Sequence, residues 1–130
     1  MSWLPHLIYI AKKISRNLYI LSRLKHKMTK NCLLSLYYSL IYPYLNYCII
    51  AWGSANKTVL RKIEILQKGA VRLVDKAFYF SHTGPIFKKC NLSTINDIFA
   101  FACCLFMYKF KASMLPCVCS NLLTYEILII

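Results

Sequence analysis

The chain contains very few carboxylates. Against 17 lysines and arginines it has only four acidic residues, Glu64, Asp75, Asp97 and Glu126. Enzymes that transfer nucleotides with two metal ions need carboxylates clustered around cations about 4 Å apart, and the two acids nearest in sequence, Glu64 and Asp75, are eleven residues apart. The scarcity argues against such chemistry in this chain by itself, and we predict no catalytic residue.

Glycine and proline are also scarce, with three glycines and four prolines in 130 residues. All-β folds need more turn residues than that, and no two-residue alternation of apolar and polar side chains persists along the chain. A phosphate-binding loop needs clustered glycines, whereas the three here are scattered singly. Apolar residues recur instead at three- and four-residue steps, which predicts an all-α fold.

The seven cysteines are irregularly spaced. Neither Cys117-x-Cys119 nor the adjacent Cys103 and Cys104 have the two-residue separation of paired structural zinc ligands. We therefore predict no metal site and no cofactor in this chain. No basic start and apolar run of a secretory signal opens the sequence, so an intracellular protein, nuclear or cytoplasmic and not secreted, is expected. Its thiols would be reduced and mostly small core residues, with disulfides as the minority alternative.

The helical periodicity predicts about four main helices in a small irregular bundle. They are expected at residues 2–27, 29–53, 56–76 and 93–115. Asp97 completes a capping box with Thr94 at the start of the fourth helix. The segment 77–85 is expected to be a loop, followed by a short helical turn after Pro85.

The second predicted helix contains a proline but keeps one apolar stripe. The members of the stripe are Leu33, Leu36, Tyr37, Leu40, Ile41, Tyr44, Leu45 and Cys48. Because the stripe keeps its phase on both sides of Pro43, one long helix kinked at that residue is favoured over two separate helices.

The first and third predicted helices are amphipathic. The expected inward face of the first is Leu4, Leu7, Ala11, Ile14, Leu18 and Leu21. That of the third is Val59, Ile63, Leu66, Ala70 and Leu73. Basic residues occupy the outer faces, and Glu64 with Lys68 forms a four-residue ion pair that contributes about 0.2–0.5 kcal/mol.

The formal net charge of +13 favours a polyanionic partner. Rows of lysine and arginine on the first and third helices can neutralise phosphates without reading sequence, and interleaved tyrosines can stack on bases. The candidates for nucleic-acid contact are Lys12, Lys13, Arg16, Arg23, Arg61, Lys68 and Arg72. Each of them alone is as well explained by a solvated helix face, so this interpretation depends on the collective charge.

A membrane protein is the alternative. No charged residue occurs from Asn31 to Asn56, so a spanning segment near 31–53 is long enough to cross a bilayer. Asparagines, serines, tyrosines and Pro43 interrupt it, however, and its two-faced pattern differs from the uniformly apolar surface of a spanning helix. A nucleic-acid-binding protein is therefore favoured.

Several motifs resemble the region downstream of the catalytic domain in reverse transcriptases of jockey-like non-LTR retrotransposons. They are Leu36–Pro43 (LYYSLIYP), Leu45–Cys48 (LNYC), Trp52-Gly53, Lys62–Lys68 (KIEILQK), His82-Thr83 with Pro85, Asp97-Ile98, and Met107–Phe110 (MYKF). The similarity covers about residues 14–116. Gly69 departs from it, since the family has a basic residue after Gln-Lys, and residues from Cys117 onward do not follow the pattern.

The resemblance implies a helical thumb-like domain at 1–116 that grips the backbone of a primer–template duplex, and a tail of unknown structure at 117–130. The family's paired catalytic aspartates, on a Tyr-x-Asp-Asp turn, have no counterpart in this sequence. Palm and fingers are thus missing, and with them the Mg²⁺ that the parent RNA-directed DNA polymerase would use. The fragment is expected to be inactive alone, with RNA or an RNA–DNA hybrid as its partner. Its apolar excess is also consistent with packing against the missing palm.

Overall fold

A computed structural model describes residues 2–119 of the chain. Within this range every regular element is an α-helix and no strand occurs, which confirms the all-α prediction. The elements are α1 (Leu4–Leu24), α2 (Lys30–Leu40), α3 (Tyr42–Asn46), α4 (Ile49–Trp52), α5 (Lys57–Val74), α6 (Thr83–Cys90) and α7 (Ile95–Lys111). The finer expectation of about four main helices is not confirmed, because seven helices are present in the described range.

The chain divides into two compact units, Met1–Phe99 and Ala100–Ile130. The first unit contains α1 to α6 and the first turn of α7, and the second contains the rest of α7. The sequence-based boundary after residue 116 stays a prediction. Of its tail, residues 120–130 lie outside the described part of the chain.

In the first unit, α1 and α5 form the most extensive helix pair. Leu7 lines a cavity with Val59 near the start of both helices, Leu18 lies against Gly69 at mid-length, and the Lys25 Nζ donates to the Ala77 carbonyl at 3.4 Å just beyond their ends. These contacts follow the same order along both helices. The two helices are therefore parallel.

The expected inward face of α1 is partly confirmed. Leu7, Ile14 and Leu21 are buried as predicted. Ile10 joins them in the core, while Leu4 is 46% exposed. The buried line 7, 10, 14 and 21 follows the helical repeat, and Pro5 is tolerated because it lies in the first turn, where its missing N–H has no intrahelical partner.

The predicted second helix is divided at Ile41 rather than continuous through a kink. Pro43 has no N–H with which to bond the carbonyl four residues before it, so α2 ends at Leu40 and Pro43 becomes part of the first turn of α3. The Asn17 side chain of α1 donates to the Leu40 carbonyl at 2.5 Å, which satisfies one of the acceptors left at the end of α2.

A second break separates α3 from α4. Tyr47 is extended and Cys48 is left-handed, with φ 52°. The Trp52 indole N–H donates to the Tyr47 carbonyl at 2.7 Å, and the ring is fully buried. A side chain at Gly53 would overlap the Phe99 ring, so this position requires glycine for close packing.

The apolar stripe nevertheless survives both breaks. Leu33, Tyr37, Ile41, Leu45 and Ile49 are all buried at regular four-residue steps. Burial thus follows the predicted phase, although Cys48, the last member of the predicted stripe, is exposed. The segment near 31–53 consists of helices of 11, 5 and 4 residues.

Among residues 2–119 no single helix is both long and apolar enough to cross a membrane. The bent pair of α6 and α7 meets that requirement jointly, by length and composition only. The helical turn expected after Pro85 is a two-turn helix, α6, which begins at Thr83.

Candidate nucleic-acid interface

The buried face of α5 is rotated from the one expected. Ile63 and Ala70 are buried as predicted, but Val59, Leu66 and Leu73 are only half-buried and lie toward one side. The line of complete burial runs through Ile63, Gln67, Ala70, Val71 and Val74. A polar residue therefore occupies the middle of the core.

Gln67 is fully buried and makes hydrogen bonds to three other segments. Its Nε2 donates to the Tyr37 hydroxyl of α2 at 3.1 Å and to the Ser93 carbonyl at 2.9 Å. Its Oε1 accepts from the Ile95 N–H at the start of α7 at 3.0 Å. One amide thus satisfies a helix-terminal N–H, a loop carbonyl and a buried hydroxyl, and it fixes the rotation of α5 about its axis.

Burial raises the pKa of Tyr37 to about 12, so its phenol stays neutral at physiological pH. Sequence reasoning placed Tyr37 in the core but missed Gln67. The only local signal was its spacing, four residues after Ile63 and four before Val71, which places it on the same face as these two residues.

Because the core fixes α5, its basic residues face away from it. Arg61, Lys68 and Arg72 are separated by seven and four residues and so lie on one line along the outer face. On α1 the corresponding line is Lys12, Arg16 and Arg23, separated by four and seven residues. Since α1 and α5 are parallel and adjacent, the two rows run in the same direction along neighbouring helices.

A groove of about 370 Å³ lies between α1 and α5. Its basic lining consists of Lys12, Arg16 and Lys62. The remaining lining is Leu4, Leu7, Ile8, Ala11, Ser15 and Val59. Lys62 was missed by the sequence analysis because its role depends on which side of α5 meets α1. The groove thus brings Lys12 and Arg16 of α1 together with Lys62 of α5 over a mostly apolar floor, whereas Arg61, Lys68 and Arg72 do not line it.

The seven predicted contact residues differ in their local partners. Lys13 lies 5.4 Å over the Tyr9 ring, and Arg23 donates to the Tyr19 hydroxyl at 2.8 Å. Within residues 2–119, three of the seven have no hydrogen bond, ion pair or ring contact, namely Lys12, Arg16 and Arg61.

Two members of the α5 row are engaged within the fold. The Lys68 Nζ lies 2.6 Å from the Glu64 carboxylate, as expected from their spacing. The Arg72 Nε donates to the Ser81 carbonyl at 3.0 Å. Both interactions hold a cationic group in place. Only the one at Lys68 reduces the positive charge of the surface, because its partner is a carboxylate, whereas the partner of Arg72 is a neutral carbonyl.

Each acid in the described range has a structural partner. The Asp75 carboxylate lies 2.6 Å from the Lys30 Nζ and 3.1 Å from the Lys89 Nζ. The Asp97 carboxylate accepts from the Thr94 N–H at 3.1 Å and from its hydroxyl at 2.7 Å, which confirms the predicted capping box.

The Lys30 and Lys89 ammonium groups lower the pKa of Asp75, the hydrogen bond from Lys30 being the largest cause. Its side chain is only 10% exposed, and it connects the starts or ends of α2, α5 and α6. A carboxyl whose pKa is depressed by folding stabilises the fold above its unfolded pKa, about 3.9, and loses that contribution as pH falls further.

Asp75→Asn is therefore expected to lower the free energy of unfolding by about 2 kcal/mol at pH 7, the scale of a hydrogen bond to charged groups. The deficit should shrink as pH falls below about 4, because the unfolded chain then takes up a proton that the folded carboxyl, with its lowered pKa, still resists. Urea unfolding of wild type and variant at pH 7 and at pH 3 measures the difference in the free energy of unfolding. Glu64→Gln, which breaks a more exposed pair, is the matched control and should cost about 0.5 kcal/mol. An Asp75→Asn deficit as large at pH 3 as at pH 7 would contradict the ionic origin.

The expectation that most cysteines are core residues is wrong. Cys90 alone is buried, and the other six are half-buried or exposed. Among the residues that the structure describes, no three histidine, cysteine or acidic side chains converge as metal ligands.

Comparison of the chain with protein-family models, curated proteins and solved structures finds no match.

Proposed function

We propose that this chain is a non-catalytic fragment of a retrotransposon RNA-directed DNA polymerase, a reverse transcriptase, whose role is to bind the backbone of RNA or of a template–primer hybrid. The observation that carries the proposal is the pair of parallel basic rows on α1 and α5. The sequence resemblance supports the family, and the paired rows support the mode of binding.

The dimensions of the surface suit a nucleic-acid backbone. The row from Lys12 to Arg23 spans eleven residue-to-residue rises along the helix, about 16 Å, which corresponds to about five base pairs at 3.4 Å each. The second row on α5 doubles the number of cations over the same length. No base-reading geometry is needed, because contacts of this kind carry affinity without sequence information.

In the parent polymerase, the missing palm and fingers would supply the catalytic carboxylates and Mg²⁺. We propose that this chain has no polymerase activity alone and acts inside the cell, in the nucleus or cytoplasm. The helices longer than ten residues are α1, α2, α5 and α7. We propose these as the main helices of a thumb-like region within residues 1–116.

The proposal predicts a strong dependence of binding on salt. A fluorescent RNA–DNA hybrid is titrated with the full chain at several salt concentrations. If four or five phosphates are neutralised, the logarithm of the dissociation constant should rise with the logarithm of the salt concentration with a slope of about 4. Between 50 and 200 mM salt the affinity should fall by about two orders of magnitude. A flat response to salt would overturn the proposal.

A small basic membrane protein remains the alternative function. It is favoured only by the joint length of α6 and α7, since the segment near 31–53 is broken into short helices. Alkaline carbonate extraction of cells that express the chain separates the two. Recovery in the supernatant supports the nucleic-acid proposal, whereas retention in the membrane pellet supports the alternative.

A further inference from the structure

Three consecutive aromatic side chains project into solvent from the loop that joins α5 to α6. Phe78, Tyr79 and Phe80 are 87%, 80% and 91% exposed, more than any other large apolar side chain in the described range. The only ring contact among them is an edge-on one between Tyr79 and Phe80, at 5.2 Å. Clustered apolar exposure of this kind marks an interaction surface.

The base of this loop is held in place by cationic side chains. The Lys25 Nζ donates to the Ala77 carbonyl at 3.4 Å, and the Arg72 Nε donates to the Ser81 carbonyl at 3.0 Å. The Ser81 N–H closes the loop with a bond to the Phe78 carbonyl at 3.0 Å. The rings are thus displayed on a tied loop, which lowers the entropic cost of ordering them on a partner.

The charge around the loop specifies an anionic partner. Lys25 and Arg72 bind the two ends of the loop, and Lys76 is exposed beside it. The one nearby acid, Asp75, is neutralised by two lysines. A partner must therefore combine negative charge with flat apolar groups that pack on aromatic rings.

We propose that Phe78, Tyr79 and Phe80 stack on unpaired bases of a single-stranded segment that continues from the nucleic acid held by α1 and α5. Bases offer π-faces to aromatic rings, and their phosphates meet the surrounding cations. Arg72 belongs to the α5 row and also anchors the loop, so the two surfaces are continuous. This inference rests on the proposed function and adds to it a preference for junctions between duplex and single strand.

The test compares two probes with the full chain. One is a blunt RNA–DNA hybrid, and the other is the same hybrid with a short single-stranded extension that contains 2-aminopurine, whose fluorescence is quenched by stacking. Wild type should bind the extended probe about tenfold more tightly and quench its fluorescence. Phe78→Ala/Phe80→Ala should lose both the gain and the quenching while binding the blunt hybrid as wild type does.

Tyr47→Ala is the matched control. Tyr47 is also strongly exposed, at 66%, but it contacts His6 near the start of α1, whereas the loop is anchored by Lys25 just after its end. This variant should keep the preference for the extension. Circular dichroism of each variant checks that the helices are intact.

Three results would overturn the inference. The first is equal binding of the blunt and extended probes by wild type. Salt-dependent binding of the blunt hybrid would then still support the proposed function. The second is a double variant that keeps the gain and the quenching. The third is wild-type binding to phosphatidylserine vesicles that the double variant loses while its preference for the extension is unchanged, because the rings would then serve a membrane surface. If wild type binds neither probe at low salt, the proposed function itself fails.

Discussion

Replacing Gln67 by alanine should lower the free energy of unfolding by about 4 kcal/mol, enough to unfold a marginal domain. The variant removes the acceptor of the Ile95 N–H and the donor to the Ser93 carbonyl, and it leaves the Tyr37 hydroxyl without its amide partner. Each unsatisfied buried group costs about 1–3 kcal/mol, and the cavity left by the side chain adds to that cost.

Urea unfolding followed by circular dichroism measures this effect. Tyr37→Phe is the graded control, because Gln67 keeps its bonds to Ser93 and Ile95 when the phenol is removed. Its cost should be about 1 kcal/mol. A loss below 1 kcal/mol for Gln67→Ala would mean that water or a shifted backbone satisfies these groups, contrary to their complete burial.

Neutralising Lys12, Arg16 and Arg61 together should weaken binding to an RNA–DNA hybrid by at least about 30-fold at low salt. Each lost phosphate contact should also lower the slope of the salt dependence by about 1. In the described part of the chain these three side chains have no hydrogen bond or ion pair, so glutamine at all three positions should leave stability nearly unchanged.

The control removes the same charge elsewhere. Lys88, Lys109 and Lys111 are exposed and lie outside α1 and α5. Their replacement by glutamine should change affinity by less than about threefold with an unaltered slope, because only non-local attraction is reduced. Equal losses in both triple variants would show that binding depends on net charge alone and would remove the basis for a site on α1 and α5.

Features that depend on neighbouring residues were predictable. The Thr94–Asp97 capping box forms as expected, because both partners lie within one helical turn. The buried positions Leu33, Tyr37 and Leu45 follow from helical spacing alone, which persists through the interruption at Ile41. A kinked helix was expected where the helix in fact ends. The apolar stripe shows the phase of the side chains around the helix, but it does not show whether the backbone hydrogen bonds continue past Pro43.

Features that depend on distant contacts were not predictable. The inward face of α5 differs from expectation because α1, α2 and α6 all pack on this helix. Gln67 meets hydrogen-bonding groups of α2 and of the start of α7. A glutamine on an amphipathic helix is ordinarily solvated. Its burial became favourable only where the fold brought complementary donors and acceptors to it.

The scarcity of acids, the net charge and the helical periodicity are properties of the sequence, and by themselves they determine an all-helical basic chain with rows of cations on two helices. Only the tertiary structure decided that these rows lie on neighbouring parallel helices, with Lys62 lining the groove beside Lys12 and Arg16 and the aromatic loop following α5. The physical reason is that helix formation and charge follow from neighbouring residues, whereas the pairing of α1 with α5 joins segments about fifty residues apart through burial of their apolar faces.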